Sequence, residues 1–197
     1  MSEQMSLDGF ASGGDRVNSL FLALMPDGIA AQRAKVLAQD LGQQQRLAFK
    51  PERATRFHVT LFHVGSFLGD IPPATLTTVR QVAQGMAVAP FEVAFDKVGS
   101  FKGKPGRIPI VLFGATSSEL MGFQADLDQK MMRAGLTRGD HLRQFKPHLT
   151  LFYGRTDVPE RCIETVSWQA TEFVLLRSLV GQGVYIEEGR WPMLKAQ

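Results

Sequence analysis

The chain has 197 residues, of which 44% are hydrophobic, 21% charged and 9% aromatic, the make-up of a folded globular protein and not of a disordered or collagen-like one. Its single cysteine, Cys162, rules out an intramolecular disulfide framework, and no apolar run reaches the ~20 residues of a membrane-spanning helix. Twenty-two Lys and Arg against nineteen Asp and Glu leave a formal charge of +3, too modest by itself to specify a polyanionic partner.

In chain order, residues 1–16 (MSEQMSLDGFASGGDR) have neither the basic start nor the apolar segment of a signal peptide. They read as a flexible tail, and the cytoplasm is the expected compartment. Val17 to Met25 (VNSLFLALM) is a nearly continuous apolar run of the kind found in central strands. Behind it, PDGIAAQRAKVLAQDLG has the spacing of an amphipathic helix started by Pro26 and stopped by Gly42. Phe57 to Val64 (FHVTLFHV) is a strand by its β-branched and aromatic content, and ATLTTVRQVAQGM, after Pro72 and Pro73, is a second helix. Phe91 to Phe101 alternates apolar and polar residues, and beyond the KGKPGR turn IPIVLFGA is its hairpin partner. Ser117 to Ala134 is the third helix. His148 to Tyr153, Phe173 to Val180 and Val184 to Glu187 are strands, with Gly181 and Gly183 marking the last turn. This mixed order predicts an α+β fold, with residues 17–197 as a single domain.

Two further patterns stand out. Basic side chains concentrate at 46–56, 97–107 and 133–146, which carry net charges of +3, +4 and +3; the ordinary reading of such windows is solvated surface. HVTLF at 58–62 also recurs as HLTLF at 148–152, each copy preceded by a basic window and followed by a glycine, Gly65 or Gly154. A repeat of this kind predicts two duplicated halves.

Residues i and i+2 of a strand share a face, so His58 and Thr60 lie together, as do His148 and Thr150. Should the halves face one another, two imidazoles and two hydroxyls converge on one small tetrahedral anion. The hydroxyls would donate to phosphate oxygens while one imidazole acts as base and the other as acid, which is in-line phosphodiester chemistry with a bell-shaped pH profile. Strict alternation puts Phe62 and Phe152 on the same face, either stacked on a base or packed beneath the site. It puts His63 on the opposite face, in a structural role unless a bulge intervenes. His141 sits in a basic loop. No Cys cluster, H-x-H or HExxH spacing supplies a third metal ligand, and there is neither a P-loop nor a G-x-S-x-G elbow.

These paired H-x-T-x motifs resemble those of the 2H phosphoesterase superfamily, and within it the 2'-5' RNA ligase and RNA 2',3'-cyclic phosphodiesterase group. LFLALMPD, FEVAFDKVGSF with VLFGA, and FVLLRSLVGQGVYIEEGRWP extend the resemblance over nearly the whole chain. The resemblance implies a bilobal fold around a central cleft, no metal and no cofactor, and His58, Thr60, His148 and Thr150 as catalytic residues. The implied reaction is hydrolysis of 2',3'-cyclic phosphate RNA ends to a 2'-phosphate, with 2'-5' ligation as the reverse. Phe62, Phe152, Arg143, Lys146 and Arg155 are the expected substrate-binding residues, chosen by their nearness to the motifs. Members acting on RNA commonly carry Arg shortly after the second motif, whereas here Phe152, Tyr153 and Gly154 precede Arg155. The alternatives are a phosphodiesterase of small cyclic nucleotides and a non-catalytic nucleotide or RNA-end binder. A monomer is expected.

Overall fold

The computed structural model of the chain describes residues 16–44, 52–115, 117–136 and 144–194. Nearly all of the expected tail, His141 and Arg143 therefore lie outside the described residues.

Among the described residues eight strands and three α-helices follow in the order β1 (Val17–Leu24), α1 (Gly28–Gln44), β2 (Val59–Leu68), α2 (Pro73–Gln84), β3 (Phe91–Ser100), β4 (Ile108–Phe113), α3 (Ser118–Arg133), β5 (Leu149–Gly154), β6 (Arg161–Ala170), β7 (Glu172–Leu179) and β8 (Val184–Pro192), with a short 3-10 turn at Ala54–Arg56. The strands form two four-stranded sheets, ordered β2-β1-β7-β8 and β5-β4-β3-β6. All pairings are antiparallel. The fold is thus α+β with two similar lobes, and each copy of the repeat sits on an edge strand, β2 in one sheet and β5 in the other.

Local chemistry sets the helix ends. Helix α1 starts two residues after Pro26 because the Asp27 side chain accepts the Ala30 amide at 2.8 Å, an N-cap that Pro26 cannot provide. It also runs past Gly42 to Gln44. Ser117 caps α3 by accepting the Leu120 amide at 3.1 Å. Pro72 and Pro73 begin α2, where a missing amide hydrogen costs nothing.

The helices join the lobes. Helix α1 packs against β5 and β6 of the second sheet, while α3 packs against β2 of the first sheet and β3 of the second. One buried cluster accordingly runs through both, from Leu20, Leu22 and Leu24 of β1 through Phe62 and Phe152 to Phe95, Leu127 and Phe173. Strand β6, absent from the sequence reading, pairs with β3 along Phe91 to Val98 and buries only Val166, Trp168 and Ala170.

Both repeat strands break strict alternation at the same place. Leu22 pairs with Phe62 and Ala23 with Thr60, so Leu61 is an extra, bulged residue. Ile110 pairs with Phe152 and Val111 with Thr150, so Leu151 is bulged likewise. A one-residue bulge reverses every later side chain. Phe62 and Phe152 consequently turn into the core, each with 0% exposure, and neither can stack on a substrate base. His63 and Tyr153 turn the other way, onto the faces that carry Thr60 and Thr150.

Candidate active site

A cleft of about 450 Å³ holds the four repeated polar residues, His58 and Thr60 from the first sheet and His148 and Thr150 from the second. Val59 and Leu149 bury their side chains on the core side of each strand, which leaves the flanking His and Thr facing the cleft. The larger hollows elsewhere on the surface contain none of the four.

The two histidines are held alike. His58 Nδ1–H donates to the Arg56 carbonyl at 2.7 Å, and His148 Nδ1–H donates to the Lys146 carbonyl at 2.8 Å. A carbonyl only accepts, so Nδ1 carries the proton in each ring and Nε2 is the unprotonated nitrogen of the neutral imidazole. An aromatic ring backs each imidazole at 5.0 Å between centroids, Phe21 behind His58 and Phe101 behind His148. Tyr185 meets His58 edge-on at 5.5 Å.

Burial against these rings lowers the pKa of both imidazoles. For His58 it falls to about 4, with desolvation the leading cause and repulsion from His148 and Arg56 adding to it, against the opposing bond to the Arg56 carbonyl. For His148 desolvation also lowers it, partly offset by the Lys146 carbonyl. The free site therefore keeps its histidines neutral more readily than water would.

Two arginine–tyrosine stacks complete the lining. The Arg56 guanidinium lies 4.7 Å from the Tyr185 ring centre and is ion-paired with Glu52. The Arg107 guanidinium lies 4.3 Å from the Tyr153 ring centre. The tyrosines come from opposite sheets and lie close enough for Tyr153 to influence the Tyr185 hydroxyl, whose pKa is raised mainly by burial. Val180, Gly181 and Gly183 of the β7–β8 turn form the remaining edge; the positive φ angles of Gly181 and Gly183, 86° and 69°, require glycine there.

Of the expected binding residues, Lys146 contributes its carbonyl, while its exposed side chain lies outside the cleft lining. Arg155 is exposed beyond the end of β5 and does not line the cleft. Phe62 and Phe152 belong to the core, as their bulges dictate. Arg56, Arg107, Tyr153 and Tyr185 were missed. Two signals pointed to them: both arginines fall in basic windows, and the chain has only two tyrosines, both of which line the cleft. His63 shares the Thr60 face but lies outside the lining, with Nε2 3.0 Å from the Ser19 hydroxyl. Among the described residues no three His, Cys, Asp or Glu side chains cluster as metal ligands, and no helix is long and apolar enough to cross a membrane.

Comparison with known proteins identifies the family and the fold. A family model described as the 2'-5' RNA ligase superfamily matches residues 26–182. An RNA 2',3'-cyclic phosphodiesterase of Archaeoglobus fulgidus is 27% identical over 143 residues, which is 72% of this chain and 75% of that protein. Escherichia coli LigT, in a crystal structure complexed with 3'-AMP, superposes with a TM-score of 0.73 at 19% identity, covering 91% of this chain and 99% of LigT. A Thermus thermophilus protein, TT0787, superposes with a TM-score of 0.73 at 20% identity, covering 91% of this chain and 100% of that one.

Proposed function

The chain belongs to the 2'-5' RNA ligase superfamily, and from that premise we propose that it is a metal-independent phosphodiesterase opening 2',3'-cyclic phosphates at RNA ends. The observation that carries the reading is the matched pair of imidazoles, each with Nδ1–H tied to a carbonyl and Nε2 left free, on two lobes of one cleft. The relative named as an RNA 2',3'-cyclic phosphodiesterase supports the choice of substrate. The core shared by both sheets supports treating residues 17–197 as one bilobal domain.

In this mechanism the cyclic phosphate sits between the lobes with its non-bridging oxygens accepting from Thr60 and Thr150. His58, the ring lowered to about 4, takes a proton from water at Nε2 as the water oxygen bonds to phosphorus. His148 gives its Nε2 proton to the ribose 3'-oxygen as the P–O3' bond breaks. The products are a 2'-phosphate and a free 3'-hydroxyl, with one proton gained by His58 and one lost by His148. With a 5'-hydroxyl in place of water, the same step bonds that oxygen to phosphorus as the P–O3' bond breaks, leaving a 2'-5' linkage and a free 3'-hydroxyl, the chemistry of 2'-5' ligation. The anionic phosphate raises the pKa of both rings on binding, so His148 holds its proton in the complex.

The test is hydrolysis of a short RNA ending in a 2',3'-cyclic phosphate, with EDTA present and the product located by phosphorus NMR. A 2'-phosphate is expected. A 3'-phosphate would reverse the assignment of the leaving oxygen, and no product would leave a binding protein or an enzyme of small cyclic nucleotides.

A further inference from the structure

The cations near the cleft differ sharply in how they are paired. Arg56 is neutralised by Glu52 and also reaches the Tyr185 hydroxyl at 3.4 Å. Lys97 is tied to Glu160 at 2.8 Å. Lys102, Lys104 and Arg107 are all exposed, and none has a carboxylate partner among the described residues. Thus the +4 window at 97–107 resolves into one satisfied lysine and three unsatisfied cations.

Those three share one short turn. The Arg107 amide donates to the Lys104 carbonyl at 2.9 Å, closing the turn between β3 and β4. Arg107, at its end, enters the cleft lining with its guanidinium carbon over the Tyr153 ring, while Lys102 and Lys104 line no part of it. The ring contact holds the guanidinium, and among the described residues no carboxylate pairs with its N–H groups, which suits it to receive a phosphate bidentately. The reacting phosphate already has two hydroxyls and two imidazoles. An arginine in the cleft and two lysines on the same turn outside it, none paired with a carboxylate among the described residues, therefore match further negative charges along the same ligand.

We propose that Arg107, carried on Tyr153, anchors a phosphate next to the reacting one, and that Lys102 and Lys104 extend this track, so that the site selects polynucleotide ends over mononucleotide 2',3'-cyclic phosphates. The proposal rests on the phosphodiesterase reading and narrows it to a substrate class.

The experiment compares kcat/KM for adenosine 2',3'-cyclic phosphate and for a tetranucleotide ending in the same group, using wild type, Arg107→Ala, Arg107→Lys and the double variant Lys102→Ala with Lys104→Ala. Wild type should prefer the tetranucleotide. Arg107→Ala should cut that preference about tenfold, Arg107→Lys should restore part of it as a point charge, and the lysine variant should cut it less. Anisotropy binding of a tetranucleotide with a plain 3'-phosphate should lose about 0.7 from its log–log salt slope for each phosphate contact removed. Equal losses on both substrates, or no loss and an unchanged slope, would overturn the track. If wild type turns over neither substrate, the phosphodiesterase reading fails, and the salt slopes alone then decide the track.

Discussion

The backbone amide of Glu52 donates to the carbonyl of Leu151, the bulged residue of the second repeat, at 3.1 Å. The bulged residue of the first repeat is served in the same way: Gln124 Nε2 on α3 donates to the Leu61 carbonyl at 3.4 Å. A bulge leaves a strand carbonyl without its ladder partner. In both strands a group from outside their own sheet fills the gap, so the segments carrying the repeated Thr and His are braced across the molecule.

Gln124 is buried, with 5% exposure, and its substitution tests the brace. Gln124→Ala should cost about 1–2 kcal/mol, lowering Tm by roughly 2–8 °C for a chain of this size. Because Leu61 follows Thr60 directly, a loosened bulge should also disturb Thr60, and kcat should fall severalfold as well. Thermal melts and steady-state kinetics on the same preparation read both effects.

Phe62 and Phe152 contribute to stability and not to recognition. Each is fully buried in the shared core, so Phe→Ala at either position should cost about 3–5 kcal/mol. Phe62→Leu, milder in volume, should lower the denaturant midpoint while KM for an RNA end stays at the wild-type value. A KM rise with the midpoint unchanged would place the ring against substrate.

The histidines make stability depend on pH in a definite sense. His58 is held near 4 when folded and titrates near its ordinary 6.5 when unfolded. Between these values the unfolded chain binds a proton that the folded one refuses. Stability is thus present above about 6.5 and falls as pH drops towards 4, by on the order of 1 kcal/mol per pH unit. His148, lowered in the same direction, adds to the slope. Urea melts between pH 7 and 4.5 should show the loss, and His58→Gln should flatten it. The same directions place the kcat/KM maximum of the free enzyme on the acid side of 6.5, between the two titrations of the pair.

The repeat made the cleft's His–Thr quartet legible, because H-x-T places both polar groups on one strand face whatever the rest of the fold does. The strand–helix order and the hairpins at 102–107 and 181–183 were legible from Gly, Pro and alternation. Strand β6 was hidden by its composition: RCIETVSWQA is charged at one end, and its only core signal is the V-x-W-x-A spacing of an edge strand. The bulges at Leu61 and Leu151 depend on register against β1 and β4, which no single strand encodes. Their one trace is the adjacent apolar pair Leu-Phe where alternation calls for a polar residue. From that one missed residue per strand follow the misplaced Phe62 and Phe152 and the overlooked Tyr153. Tyr185 and Arg107 reach the cleft from other strands and turns, so nearness to the motifs in sequence could not find them.

In the proposed mechanism His58 and His148 act as a base and acid pair on opposite lobes. Measuring kcat for a cyclic-phosphate RNA end with His58→Ala and His148→Ala, alongside the affinity of each variant for the product, tests this pair. Each substitution should lower kcat by about 10²-fold or more while product affinity changes only a few-fold. Turnover within a few-fold of wild type in either variant would contradict the mechanism.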